Sequence, residues 1–436
     1  MTNDMTQRTR RTRAEQIQAT REALMKAALE VVSRHGYAKA SVSRITDAAG
    51  VAQGTFYSYF ETHQDLLKDL LPSEGVRLLR ELGDAAHGVD DYFDLERRTF
   101  LAFFEFLKRN PHFLRVLTEA EIAAPSSHAQ HMGNIEDRYV NALRRAQSRK
   151  EIRPHSEKAF RVIAEILSGA RGHIATGINQ ESKHKKTKQS PKKAVDTYVK
   201  FIRIGLGEPD KLQKLTKRVF KRSSAASTDS RTMLLNAAER VLYKKGFEAT
   251  TVVDIANTAK VAVGTFYSYF PSRQVLLDEI LTHVRTNMLD YVREACRGSK
   301  SFLEVEHRGF VAFFDYIARN PWYISIESGA AVWANESYLK HFSDLTSRYV
   351  ASMKYSKKKG ELAAYREDEL PTLAFILMAA RHYLATRYVL RNNRSKKLPD
   401  SVLKEYLDFV HRGLANVERR TSPYVSQSRE KTEMAL

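Results

Sequence analysis

The sequence predicts an all-α protein made of two tandem copies of one helical unit. Three observations carry this. The first is an internal repeat. Gly-Thr-Phe-Tyr-Ser-Tyr-Phe runs from Gly54 to Phe60 and again from Gly264 to Phe270, an offset of 210 residues. The offset also places His35-Gly36-Tyr37 over Lys245-Gly246-Phe247, Phe103-Phe104 over Phe313-Phe314, Asn110-Pro111 over Asn320-Pro321 and Arg138-Tyr139-Val140 over Arg348-Tyr349-Val350. A period this long exceeds that of a solenoid repeat and marks two whole domain sets. The second is helical spacing of apolar residues through most of the chain. The third is the scarcity of alternating β-branched runs and hairpin turns.

The elements follow in order. Met1 to Ala19 is polar and basic, with Arg8, Arg10, Arg11 and Arg13. It reads as an arm that tracks phosphates or, equally, as a solubilising tail. From Thr20 the period is helical, with Leu24, Ala28, Val31 and Val32 on one face and Gly36 suited to the position that ends a helix. Leu234, Leu235, Ala238, Val241, Leu242 and Gly246 repeat that pattern. A short second helix starts at the capping residue Ser41, or in the second copy at Thr251 with Asp254 at capping-box spacing. Tight turns follow at Gly50 and Lys260, then a third helix containing the heptad. Thr62-x-x-Asp65 and Pro271-Ser272 open a fourth. Beyond these lie long amphipathic helices, broken by a Lys-rich loop at 183–193 and a Ser-rich linker ending near Ser230. The expected order is a basic arm (1–19), a three-helix domain (20–66), a helical domain (67–206), a linker (207–229), a second three-helix domain (230–276), a second helical domain (277–416) and a tail (417–436).

Composition narrows the function classes. A formal net charge of +20 over 436 residues favours a polyanionic partner, nucleic acid before an acidic membrane. One cysteine, Cys296, excludes a disulfide framework within the chain. The longest apolar stretch, Thr372 to Ala380, is far short of the ~20 residues of a spanning helix. The reading is a cytoplasmic, nucleoid-associated protein with no membrane partner.

Three helices with a tight turn between the second and third describe a helix-turn-helix unit, whose third helix enters the DNA major groove. The heptad can divide its residues accordingly. Phe56 and Phe60, like Phe266 and Phe270, are four apart and share an inward face. Thr55, Tyr57, Ser58 and Tyr59 then project elsewhere, as do Thr265, Tyr267, Ser268 and Tyr269, with hydroxyls for phosphates or base edges. Gly54 and Gly264 let the helix start come close to the DNA backbone, where its N-terminus favours a phosphate. The copies differ on this side: Gln53 becomes Val263, Ser43 becomes Val253 and Arg44 becomes Asp254. Gln reads adenine bidentately and Arg attracts phosphate, so the first copy is expected to be the stronger arm on unequal half-sites. Ordinary surface or capping charges at Arg44 and Asp254 are the plainer reading.

Val51-Ala52-Gln53-Gly54-Thr55-Phe56-Tyr57-Ser58-Tyr59-Phe60 with Asp65-Leu66-Leu67 resembles the DNA-binding domain of the TetR family of bacterial transcriptional regulators, and Val261 to Phe270 with Val275-Leu276-Leu277 resembles it again. The resemblance covers about residues 20–67 and 230–277. It implies DNA contacts at the Thr, Tyr and Ser positions above, just before the third helix at Gln53, and at the start of the fourth at His63 and Arg273. It also implies helical domains that dimerise and bind a small effector. Ordinary members are single units that homodimerise. This chain carries both units, so an intramolecular pseudo-dimer is expected, with a higher oligomer possible and recognition helices about one DNA turn apart, roughly 34–36 Å.

By position in the family, Phe103, Phe104 and Glu119 in the first copy, and Phe313, Phe314 and Trp333 in the second, are candidates for lining an effector pocket; helix core is the default. The effector class would be apolar or amphipathic. Late helices near 160–177, 196–206, 370–390 and 402–414 are candidates for the dimer-like bundle, with Gly169 and Gly172 among the small residues allowing close approach. An enzyme is not indicated. There is no phosphate-binding Gly-rich loop after a strand and no nucleophile elbow, and His128-x-x-His131 lacks a carboxylate at metal spacing. No cofactor is expected. The sequence therefore reads as a double-stranded DNA-binding, ligand-responsive repressor on an operator with two related half-sites. The alternative is a non-specific architectural DNA-binding protein.

Overall fold

The computed structural model describes residues 12–183, 190–205, 229–390 and 396–413. Arg8, Arg10 and Arg11, most of the Lys-rich loop, nearly all of the linker and the tail lie outside these. The described residues form eighteen α-helices and no strand: α1 (Arg13–His35), α2 (Val42–Ala49), α3 (Gln53–Phe56), α4 (His63–Ala86), α5 (Tyr92–Arg109), α6 (Phe113–Ala123), α7 (Pro125–Ser148), α8 (Glu157–Lys183), α9 (Pro191–Ile204), α10 (Ser230–Ala249), α11 (Val252–Ala259), α12 (Val263–Tyr269), α13 (Arg273–Cys296), α14 (Phe302–Arg319), α15 (Trp322–Trp333), α16 (Asn335–Lys358), α17 (Leu370–Tyr388) and α18 (Asp400–Arg412). None of them is long and apolar enough to cross a membrane.

The first helix starts at Arg13, not Thr20. Thr12 and Glu15 form a reciprocal capping box, so helix extends into the segment expected to be an arm. The other caps fall at their sequence positions. Ser41 caps α2, Thr251 and Asp254 box α11, Thr62 and Asp65 bond reciprocally at the start of α4, and Ser272 caps α13. Gly36 and Gly246 break the first helix of each copy at φ +81° and +77°. The turn after the second helix needs a left-handed residue. The first copy supplies Gly50 (φ +67°), whereas the second holds Lys260 there at φ +59°. A side chain in that region is strained, so Lys260→Gly is expected to raise stability by about 0.5–1 kcal/mol in thermal unfolding. A lower melting temperature would show that the lysine side chain compensates its backbone.

The chain divides into two compact units. One contains residues up to Leu79 with Leu107–His131, and the other contains Arg80–Phe106 with Met132 onward. In the first unit α1 packs on α2 and α6 around Leu24, Ala28, Val32, Ile45 and Phe56, all fully buried. Glu119 of α6, also fully buried, accepts from Tyr37 N–H at 2.7 Å and from Arg115 Nε at 2.6 Å, while Arg115 Nη1 donates to Ser33 O. Glu119 thus clamps the end of α1. It was a pocket candidate by position in the family; the structure engages it in this clamp instead.

The second unit holds the rest of the first copy and all of the second. Its late helices pack across the repeats: α8 on α17, α9 on α17, and α18 on both α8 and α9. A buried cluster occurs in each copy. Arg171 on α8 donates to Glu96 at 2.8 Å and lies over the rings of Phe100, Tyr139 and Tyr198, and Tyr198 donates to Glu96 at 2.9 Å. Arg381 on α17 donates to Glu306 at 2.8 Å over Phe310 and Tyr349, and Tyr406 donates to the same carboxylate.

The face between α8 and α17 is not the same on its two sides. Arg387 pairs with Glu165 at 3.1 Å and Glu136 at 3.6 Å. At the repeat-related place Phe375 fills a notch over Gly177, where a Cβ would lie 2.1 Å from the ring, and Tyr383 does likewise over Gly169. Burial, then the neighbouring Glu136, pushes the Glu165 carboxyl well above its ordinary 4.5 against the pull of Arg387. The contribution of the protonated carboxyl is fully present below pH 4.5; above that, unfolding releases the proton, and the stability is lost as pH rises through the folded value. Glu165→Gln should therefore gain melting temperature over the parent progressively between pH 5 and 8. An equal difference at both ends would contradict this.

Candidate nucleic-acid interface and effector cavity

In each copy a pair of buried rings holds the third helix. Phe56 and Phe60 pack with centroids 5.6 Å apart, as do Phe266 and Phe270. Arg21 of α1 lies 5.2 Å over Phe60 and pairs with Asp69 of α4 at 2.7 Å; Arg231 lies 5.3 Å over Phe270 and pairs with Glu279. With this side anchored, the opposite side faces out. Tyr57 is 60% exposed and Tyr267 55%, each braced edge-on by the buried Phe before it. Gln53, Gly54, Ser58, Gly264, Ser268 and Tyr269 are exposed, while Thr55, Tyr59 and Thr265 are half-buried. Ser268 Oγ donates to Gly264 O.

On the second helix Ser43 and Arg44 are exposed, and Arg44 Nη1 donates to Lys39 O at 2.9 Å. Its counterpart Asp254 both caps α11 and pairs with Lys245 at 2.6 Å, which offsets much of its negative charge. Val253 and Val263 are exposed.

His63 and Arg273 do not join the outward set. Both are half-buried at the start of the fourth helix and bond the backbone: His63 Nε2 the carbonyl of Ala40, and Arg273 Nη2 that of Phe247. Desolvation lowers the His63 pKa, which suits a neutral ring holding a turn. An inner-face role was legible only in space, because the bonded carbonyl is 23 or 26 residues away.

The second unit also holds a mainly apolar cavity of about 210 Å³ between α13, α14, α15, α16 and α17, with His173 of α8 in its wall. Of the six pocket candidates only Phe313 lines it. Phe314 packs beside Phe310, and Phe103 and Phe104 are buried in the ring cluster around Phe100. The carbonyl of Trp333 accepts from Gln274. Sequence reasoning missed Glu327, His341 and His382, which also line the cavity. The signal lay in the repeat, because Glu327 and His382 stand where the first copy has Leu117 and Gly172.

The family model described as "Bacterial regulatory proteins, tetR family" matches twice, over residues 24–70 and 234–280. The chain belongs to the TetR family. It carries two TetR-like units in tandem. It is 33% identical over 90 residues to the uncharacterized HTH-type transcriptional regulator YhgD of Bacillus subtilis, covering 21% of this chain and 47% of YhgD. The chain thus spans about half the length of that relative. It is 26% identical over 199 residues to the HTH-type transcriptional repressor KstR2 of Rhodococcus jostii, covering 44% of this chain and 95% of that protein. A solved TetR family regulator from Marinobacter aquaeolei aligns at 18% identity and a TM-score of 0.36, covering 43% of this chain and 96% of its own.

Proposed function

We propose that this TetR-family chain is a sequence-specific double-stranded DNA-binding regulator, a ligand-responsive repressor acting as a single-chain pseudo-dimer on an operator with two related, unequal half-sites. The observation that carries the DNA-binding part is the pair of outward Thr-Tyr-Ser-Tyr surfaces, each fixed from behind by two buried Phe rings. Exposed aromatic hydroxyls held rigidly can bond phosphates and base edges without a large ordering cost.

Pairing within one chain is supported by the chemistry between α8 and α17. Two first copies facing each other would set Glu165 against Gly177, leaving the buried carboxyl groups of Glu165 and Glu136 without the guanidinium that serves both. Two second copies would set Phe375 against Arg387, pressing a guanidinium into a ring's place. Each face fits the other repeat better than itself. Unequal half-sites follow from Gln53 and Arg44 against Val263 and a neutralised Asp254. Effector binding in the helical domains then lowers operator affinity through a coupling free energy between sites.

Selection of bound fragments from random duplex DNA at near-physiological salt tests this. Enrichment of one site with two half-sites about a helical turn apart supports it. Retention of DNA without a motif would favour the architectural alternative. Sedimentation at nanomolar concentration tests the pairing, and a tight two-chain complex would count against the single-chain arrangement.

A further inference from the structure

The cavity of the second repeat has one polar end, and its chemistry is specific. Glu327 lies 3.6 Å from His341 Nε2 and 4.0 Å from His382 Nδ1. His341 is 1% exposed, lines the cavity, and has no hydrogen-bond partner at either ring nitrogen. His173, from the first repeat, sits with its ring 6.0 Å from His382 and 5.5 Å from Phe342. Aromatic rings of Phe313, Tyr323 and Phe342 line the remainder.

The other buried charges here are already engaged. Glu306 is held by Arg381 and Tyr406, and Arg381 by Glu306 and the rings around it. The remaining cation of the lining, Arg348, has an exposed side chain. Burial alone pushes the Glu327 carboxyl up, but the three imidazoles beside it outweigh burial and leave it below the ordinary carboxylate value. Among the described residues the cavity therefore presents a carboxylate that has only imidazoles within ion-pair distance and no lysine or arginine paired with it.

We propose that the second repeat, not the first, holds the effector site, and that the site takes a small amphipathic cation: an apolar body among the rings and one amine or ammonium head against Glu327. The proposal rests on the ligand-responsive reading above. An ammonium head can bond directly to a carboxylate that the imidazoles approach only to 3.6 and 4.0 Å, and it is attracted by ring faces. An anionic head would meet Glu327 and the already paired Glu306. The volume, about 210 Å³, lies below the ~300–1,000 Å³ of drug-sized sites and suits a small body. The first repeat cannot offer the same site, because Leu117 and Gly172 stand for Glu327 and His382. His173 makes the site a property of both repeats, so occupancy acts directly on the face between α8 and α17.

Calorimetric titration of the full chain at pH 7.5 with 4-phenylbutylamine, 4-phenylbutanol and 4-phenylbutyrate tests one body with three heads. The amine is expected to bind at least tenfold more tightly than the other two. Glu327→Gln should lower its affinity at least tenfold and His173→Ala several-fold, with thermal unfolding showing both variants folded. Equal or tighter binding of the carboxylate, an unchanged amine affinity in Glu327→Gln, or no binding by any of the three overturns the proposal. The same preparation goes into the duplex selection. An enriched operator with no amine binding removes this site alone, whereas amine binding without an enriched motif removes the regulator reading and keeps the site.

Discussion

Replacing Arg381 with alanine is expected to destabilise the second unit by about 3–5 kcal/mol, the range for breaking a buried ion pair from one side. Glu306 is 2% exposed and would keep only tyrosine hydroxyls, those of Tyr406 and Tyr349, beside it. The guanidinium also fills space over Phe310 and Tyr349, so its loss opens a cavity beside the uncompensated charge. The melting temperature should fall by about 10 °C, given ~2–4 °C per kcal/mol in a unit of this size. Arg171→Ala should behave alike, because Glu96 is equally enclosed. Removing both charges together, as Glu306→Leu with Arg381→Met, should recover most of the loss. A double variant as unstable as the single one would mean that packing, not the uncompensated charge, dominates.

Phe56→Ala is expected to weaken operator binding by about two to four orders of magnitude. The helix it anchors spans only Gln53–Phe56 and has no side-chain cap, so its position depends on the buried ring. Truncating a buried Phe costs about 3–5 kcal/mol locally, enough to release so short an element. With one reading head lost, a tethered pair becomes monovalent and forfeits an avidity gain of about 10²–10⁴. Phe266→Ala should do the same in the second copy with a smaller loss, because Val263 and Asp254 give that arm less to lose. Mobility-shift titrations against the selected site measure both. Affinity within twofold of the parent for either variant would mean that half is not on the DNA.

Much of the fold was legible because its signals are local. A capping box needs residues three apart, so Thr62–Asp65 and Thr251–Asp254 could be read directly, and the repeat let each copy check the other. The start of α1 was misjudged because the basic composition around Thr12 and Glu15 masked the same signal. On the candidate DNA face, spacing of four residues separated the buried Phe pair from the tyrosines, of which Tyr57, Tyr267 and Tyr269 are exposed and Tyr59 half-buried. His63 and Arg273 were placed there by resemblance, and only the fold shows them turned to backbone carbonyls. Glu119 has an equally distant reason, since its partner Tyr37 is 82 residues away.

What the sequence determined by itself is the helical class, the duplication, the helix ends and the outward aromatic surface of each third helix, because all depend on contacts within a few residues or on the repeat. Tertiary structure decided which charges are buried in pairs, how the second repeat's cavity acquires its polar end, and how α8 differs from α17 at their contact. Arg171 meets Glu96, and Arg381 meets Glu306, across 75 residues. The worth of each pair depends on being shut away from water by helices whose packing no local pattern encodes.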